Sequence, residues 1–145
     1  MNGALLPYIV TSITGWLMMI LLVITILYPF LLRGGVLGPV QPFLKRMRFH
    51  YWLGYSIAAV VLVHALLPMS AGLAKGADAV GLDLATVALL LTFVQVFLGR
   101  QLSWPKLFRR RVVRGWHFWV MIGIVVFILG HIALNSGTLQ MLLVR

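Results

Sequence analysis

Four long apolar stretches constrain the fold more than any other feature of the sequence. They cover roughly residues 7–32, 50–68, 81–99 and 113–134. Each is close to the length of about 20 residues that a helix needs to cross the hydrocarbon core of a bilayer. Backbone groups in lipid must bond internally, and the stretches lack the alternation of barrel strands. The sequence therefore predicts an all-α integral membrane protein, a four-transmembrane-helix up-and-down bundle.

The composition supports a membrane location and a single domain. Apolar residues make up 62% of the chain and charged residues only 10%, which is too little polar surface to cover a water-soluble globule. Four spans and their connections use nearly all of residues 1–145, so we expect one domain. The first stretch has no basic leader and no clear cleavage site, and we expect it to be retained as a helix.

The basic residues predict the orientation in the membrane. The net charge is +10, but ten of the twelve basic residues lie in the two loops after the first and third stretches. By the positive-inside rule these loops are cytoplasmic, and both termini and the loop with Lys75 are outside. We thus expect a protein of a prokaryotic cytoplasmic membrane that contacts anionic lipid and does not bind nucleic acid. The second and fourth helices would then run parallel to each other.

The histidines form a regular pattern. All four lie in the second and fourth stretches, as the pairs His50 and His64, and His117 and His131, and both pairs are 14 residues apart. Fourteen steps of about 100° end about 40° short of four turns, so both members of a pair lie on one helix face. They stand about 21 Å apart along the axis, which is too far for one metal ion to bind both.

Parallel helices bring the histidines together level by level. His50 would face His117 at the inner level, and His64 would face His131 at the outer level. Two imidazoles on opposite walls of an apolar slot suit a six-coordinate haem iron. The chain has no cysteine, which excludes covalent c-type attachment, iron–sulfur clusters and thiolate zinc sites. We therefore predict two stacked b-type haems between the second and fourth helices.

Other residues near the histidines are open to two interpretations. Gly54, one turn after His50, either lets a macrocycle approach the backbone or serves helix packing. Gln95 either bonds a histidine or a quinone oxygen, or ties two helices together. Three arginines near the inner ligands are candidates to pair with haem propionates, although they also serve as topology signals: Arg46, Arg48 and Arg114.

At these residues the chain resembles the membrane dihaem cytochromes b, in particular the ferric-reductase-like transmembrane domain. The resemblance rests on His50, Gly54 and His64 in one helix and on His117 and His131 after a basic segment in another. It covers about residues 44–135. The amino-terminal four-helix part of the cytochrome b of quinol-oxidising complexes has its ligands in the same order. The resemblance implies two bis-histidine haems b and transmembrane electron transfer.

The chain departs from both families in what accompanies the haem helices. It has neither flavin nor nicotinamide domains, and it lacks the further helices and quinol-site loops of the respiratory cytochromes b. We therefore expect an electron-transfer subunit of an oxidoreductase rather than a complete enzyme. Its partners would be a redox protein or other subunits of a membrane complex, or quinone.

Two other functions fit the sequence less closely. The first is a cofactor-free helical anchor or assembly subunit of a larger membrane complex. The second is a proton or metal-ion transporter that uses its histidines as relays. Such a relay usually includes acidic groups within the membrane, whereas the only acids here are Asp78 and Asp83, in the outer loop and at the start of the third stretch.

Overall fold

In a computed structural model of the protein, the regular structure of the described residues is entirely α-helical. The structure describes residues 5–38, 42–72, 77–104 and 106–135. Within them the helices are α1 (Leu5–Arg33), α2 (Phe43–Arg46), α3 (Arg48–Ser70), α4 (Ala79–Leu102) and α5 (Arg110–Asn135).

The four long helices confirm the predicted membrane spans. Helices α1, α3, α4 and α5 are each long and apolar enough to cross a membrane. Each extends one to three residues beyond the predicted stretch at both ends. Large apolar side chains along them, such as Trp16, Phe97 and Trp119, are exposed, and such surfaces need lipid or protein to cover them. These features are those of an integral membrane protein. The one-turn helix α2 lies in a connection that was predicted to be a loop.

The helices form two compact units, Met1–Gly72 and Leu73–Arg145. In the first unit α1 packs against α3, and in the second α4 packs against α5. Both pairs are antiparallel, because the start of the second helix bonds to the later part of the first helix, and its end to the earlier part. Each unit is therefore a helical hairpin with two histidines on its second helix.

Each hairpin has a narrow buried seam. In the first unit the buried residues of α1 are spaced by seven, at Met18, Thr25 and Leu32. Those of α3 are Leu53, Ile57 and Val61. In the second unit the seam contains residues of α4 and α5: Ala88, Thr92, Ile124 and Ile128. A seven-residue spacing is typical of helices that pack at a shallow angle along one stripe.

Arginines close the basic ends of the hairpins through backbone carbonyls. The guanidinium of Arg110 donates to Leu102 O at 2.7 Å and to Trp104 O at 3.1 Å. These carbonyls follow or end α4, where helical carbonyls have no intrahelical partner. Arg46 donates in the same way to Leu37 O. Lys75 lies outside the described residues.

Candidate functional site

The two histidines of α3 both bond to the backbone of α1. His50 Nδ1 lies 3.0 Å from the carbonyl oxygen of Thr25. His64 Nδ1 lies 3.1 Å from the carbonyl oxygen of Thr11. A carbonyl oxygen only accepts hydrogen bonds, so Nδ1 must carry the proton in both rings. The neutral imidazole then has its lone pair on Nε2, and a ring nitrogen with a lone pair is able to coordinate a metal ion.

A proline explains why the Thr25 carbonyl can accept a bond from outside its helix. In an α-helix this carbonyl would accept the N–H of the residue four positions later. That residue is Pro29, which lies inside α1 and has no N–H. The missing bond leaves the Thr25 oxygen with accepting capacity, and His50 uses it. The local sequence of α1 thus creates the acceptor for a residue of α3.

The ring of His64 has a hydroxyl partner and a glycine beside it. Thr14 Oγ1 lies 3.2 Å from His64 Nδ1, and the Thr14 hydroxyl itself contacts Val10 O at 2.8 Å. A hydroxyl that donates to the helix backbone can accept from the imidazole N–H. A Cβ added to Gly15 would lie 3.0 Å from His64 Cε1. The absence of a side chain at Gly15 therefore makes room for the imidazole.

His131 repeats this arrangement in the second unit. Its Nδ1 lies 2.9 Å from the carbonyl oxygen of Gly81, in the first turn of α4. This turn is held by Asp78, whose Oδ1 accepts from Gly81 N at 2.8 Å. Asn135, at the end of α5, accepts from Asp78 N at 2.7 Å. The Asp78–Asn135 contact and the His131–Gly81 contact thus join the start of α4 to the end of α5.

His117 differs from the other three histidines. Its Nε2 lies 3.3 Å from the side-chain nitrogen of Gln95 on α4. A Cβ added to Gly99 would lie 3.4 Å from His117 Cε1, so the ring passes close to the helix backbone there. Three histidines therefore direct Nδ1 to a backbone carbonyl, whereas His117 directs Nε2 to a side-chain amide.

The interval of 14 residues recurs in the partner helices. On α1 the acceptors Thr11 and Thr25 are 14 residues apart, as are Gly81 and Gln95 on α4. Antiparallel helices in a constant register produce this match. Each hairpin therefore has two polar contacts to its histidines, one near each end, at an axial separation of about 21 Å.

The four histidines lie in separate contacts between two helices. Within the described residues, no group of three or more histidine, cysteine, aspartate or glutamate side chains comes together. Structural zinc needs four protein ligands and catalytic zinc three. Metal-binding histidines typically donate their second ring N–H to a carbonyl, carboxylate or water. His50, His64 and His131 have this second contact, and each ring is half-buried.

The roles predicted for Gly54 and for the three arginines stay predictions, and the structure gives their positions. A Cβ at Gly54 would meet no described atom within 4 Å, so Gly54 is not a packing contact of its hairpin. Arg48 is the first residue of α3 and is exposed, and Arg114 is exposed in the first part of α5. Arg46 is half-buried and bonds Leu37 O, so a propionate would compete with that carbonyl.

Sequence reasoning singled out Gln95 but missed Thr11, Thr25 and Gly81. These three residues act through backbone carbonyls, which every residue has, so residue type gives little sign of them. One signal was present: a proline within an apolar span four residues after Thr25 marks an unoccupied helical carbonyl.

Comparisons with protein-family models, with curated proteins and with solved structures found no match to this chain. The candidate site therefore rests on its own residues.

Proposed function

We propose that this protein is the membrane subunit of a redox complex and carries electrons across the bilayer through two b-type haems. His50 and His117 would hold the inner haem, and His64 and His131 the outer one. The two hairpins would form one four-helix domain in which α3 and α5 run parallel. The bound haems would supply reversible one-electron chemistry, and the protein would position and insulate them.

The observation that carries the proposal is the hydrogen bonding of three imidazoles through Nδ1. A carbonyl acceptor fixes the tautomer and the ring orientation, and it makes the ligand more basic. Histidines that only joined two helices could donate from either ring nitrogen. Yet His50, His64 and His131 all donate from Nδ1. The repeated use of Nδ1 as the donor favours a common role for Nε2 in these three histidines.

The axial spacing supports the transfer function. Sites about 21 Å apart along the helices fall near the two surfaces of a hydrocarbon core about 30 Å thick. Between them most buried side chains are apolar, with Ile57 on α3 and Ile124 on α5 buried midway between the histidines, and the buried Thr92 hydroxyl donates to Ala88 O of its own helix. A dry interior between two redox sites excludes water from the path and keeps the sites separate.

A basic surface at one end would serve haem or partner binding. Arg48 and Arg114 are exposed within three residues of His50 and His117. Guanidinium groups bind carboxylates through paired, charge-assisted hydrogen bonds. We propose that these arginines pair with propionates of the inner haem, and that the other loop arginines face anionic lipid or a redox partner. The same arginines are the basis for placing both termini outside a prokaryotic cytoplasmic membrane.

The second candidate is a cofactor-free anchor or assembly subunit. The contact between Gln95 and His117 favours it, because a side-chain amide against an imidazole is a typical interhelical bond in membranes. Under this function all four histidines would only join helices.

Haem content separates the two candidates. The chain is produced in a haem-replete host, purified in mild detergent and assayed as the pyridine haemochrome. We expect two haems b per chain and a low-spin spectrum in the oxidised and reduced states. A variant with all four histidines replaced by alanine is the control and should contain none. Purified, folded protein without haem would contradict the proposal and support the anchor.

A further inference from the structure

The two histidines of the second unit contact different kinds of group on α4, and the difference is the side chain of Gln95. His131 donates to the backbone of Gly81, whereas His117 lies against the amide of Gln95. Gly81 and Gln95 occupy corresponding positions of α4, two heptads apart. A backbone carbonyl is fixed by its helix, but a glutamine amide can rotate and can offer either a donor or an acceptor.

We propose that Gln95 is a positioning residue for His117 and sets the properties of the inner haem alone. This inference rests on the proposed function. In the structure the Gln95 amide lies against His117 Nε2, so coordination of iron through this nitrogen would require the imidazole to turn away from the amide. The Nδ1–H would then need an acceptor of the kind that the other three histidines have, and the Gln95 amide oxygen would supply it.

The state of the amide oxygen supports this assignment. Gln95 Oε1 is buried and accepts no hydrogen bond from the described residues. A buried polar atom without a partner is costly, by about 1–3 kcal/mol in typical proteins. The oxygen lies beside His117, on the helix whose Gly81 carbonyl accepts from His131. It is therefore suited to accept a hydrogen bond from an imidazole N–H.

The consequence is an asymmetry between the two haem sites. Substitutions at Thr11, Thr25 or most other positions keep the backbone carbonyl and so keep the acceptor. Replacement of Gln95 by an apolar residue removes the acceptor. Loss of the acceptor makes the imidazole less basic, which destabilises the ferric state and raises the midpoint potential of that haem.

The test uses the full chain in backgrounds that retain one haem each. In His64→Ala, which keeps the inner haem, Gln95→Met should raise the remaining midpoint potential or convert the haem to high spin. Gln95→Glu keeps an acceptor oxygen and should preserve the low-spin spectrum. In His117→Ala, which keeps the outer haem, Gln95→Met should change neither potential nor spectrum.

Thr92→Val is the matched control on the same helix. Thr92 is buried and its hydroxyl donates to Ala88 O of its own helix, at 2.8 Å, so its loss should leave both potentials unchanged. An unshifted inner haem in Gln95→Met would overturn the role of Gln95 while leaving the two haems in place. Equal shifts in both backgrounds, or loss of both haems in both Gln95 variants, would also overturn it. Absence of haem from the unsubstituted chain would instead defeat the proposed function.

Discussion

At the scale of single residues, the surroundings of the histidines depend on backbone carbonyls, which the pattern of side chains in the sequence does not reveal. Histidine spacing alone is enough to propose four ligands, because two pairs at the same interval stand out in an apolar chain. The acceptors Thr11, Thr25 and Gly81 act through carbonyl oxygens and emerged only from the packed hairpins. Pro29 belongs to the same group, since its effect is to withhold an N–H from Thr25.

If His50 holds a haem as proposed, Pro29→Ala is expected to change the midpoint potential of that haem. Alanine at this position would donate its N–H to Thr25 O, and His50 would have to share that oxygen. The imidazole would become less basic, and the midpoint potential of the inner haem should rise. A potentiometric titration followed optically measures the shift.

Pro68→Ala is the control for the inner haem, because the N–H it adds would bond to the carbonyl of His64, at the other end of α3 from His50. It should leave the potential of the inner haem in place. A Pro29→Ala protein with the potentials of the parent would show that the proline has no part in tuning the site.

At the scale of helices, the sequence predicts type and length well and pairing only in part. Long apolar runs in lipid have one solution, so all four spans were predicted to within three residues at each end. The pairing of α1 with α3 and of α4 with α5 depends on seams of few buried residues, such as Met18 and Ala88. Apolar periodicity is a poor guide there, because the outward faces are also apolar.

The start of α4 offers a test of how the His131 site is held. Asp78 caps the helix at Gly81 N, and Asn135 bonds to the Asp78 backbone. Asp78→Ala should lower the free energy of unfolding by about 1 kcal/mol, the usual cost of a lost N-cap. Unfolding in mixed micelles with increasing denaturing detergent measures it.

Asp78→Asn preserves a capping oxygen and should unfold close to the parent. If the alanine and asparagine variants lost stability equally, the carboxyl charge rather than the cap would be the stabilising feature.

At the scale of the whole molecule, the proposal depends on orientation. The basic loops around Arg48 and Arg114 predict that α3 and α5 run parallel, and the proposal needs this direction to pair His50 with His117. The sequence has no cysteine, so single introduced thiols report the orientation without background. Leu107→Cys and Ala77→Cys should react with an impermeant reagent from opposite faces, with Leu107 on the cytoplasmic side.

Labelling of both positions from one face would exclude the parallel arrangement. The histidine pairing would then have to be revised even if haem were present.

The most direct measurement of the central claim is the loss of haem in four single variants. Electron spin resonance and potentiometric titration are carried out on His50→Ala, His117→Ala, His64→Ala and His131→Ala. Two separate bis-histidine sites predict that the first two variants lose, or make high-spin, the same haem and keep the other low-spin. The last two variants should lose, or make high-spin, the other haem and keep the first one low-spin. Loss of the same haem in the His50 and His64 variants would contradict the account.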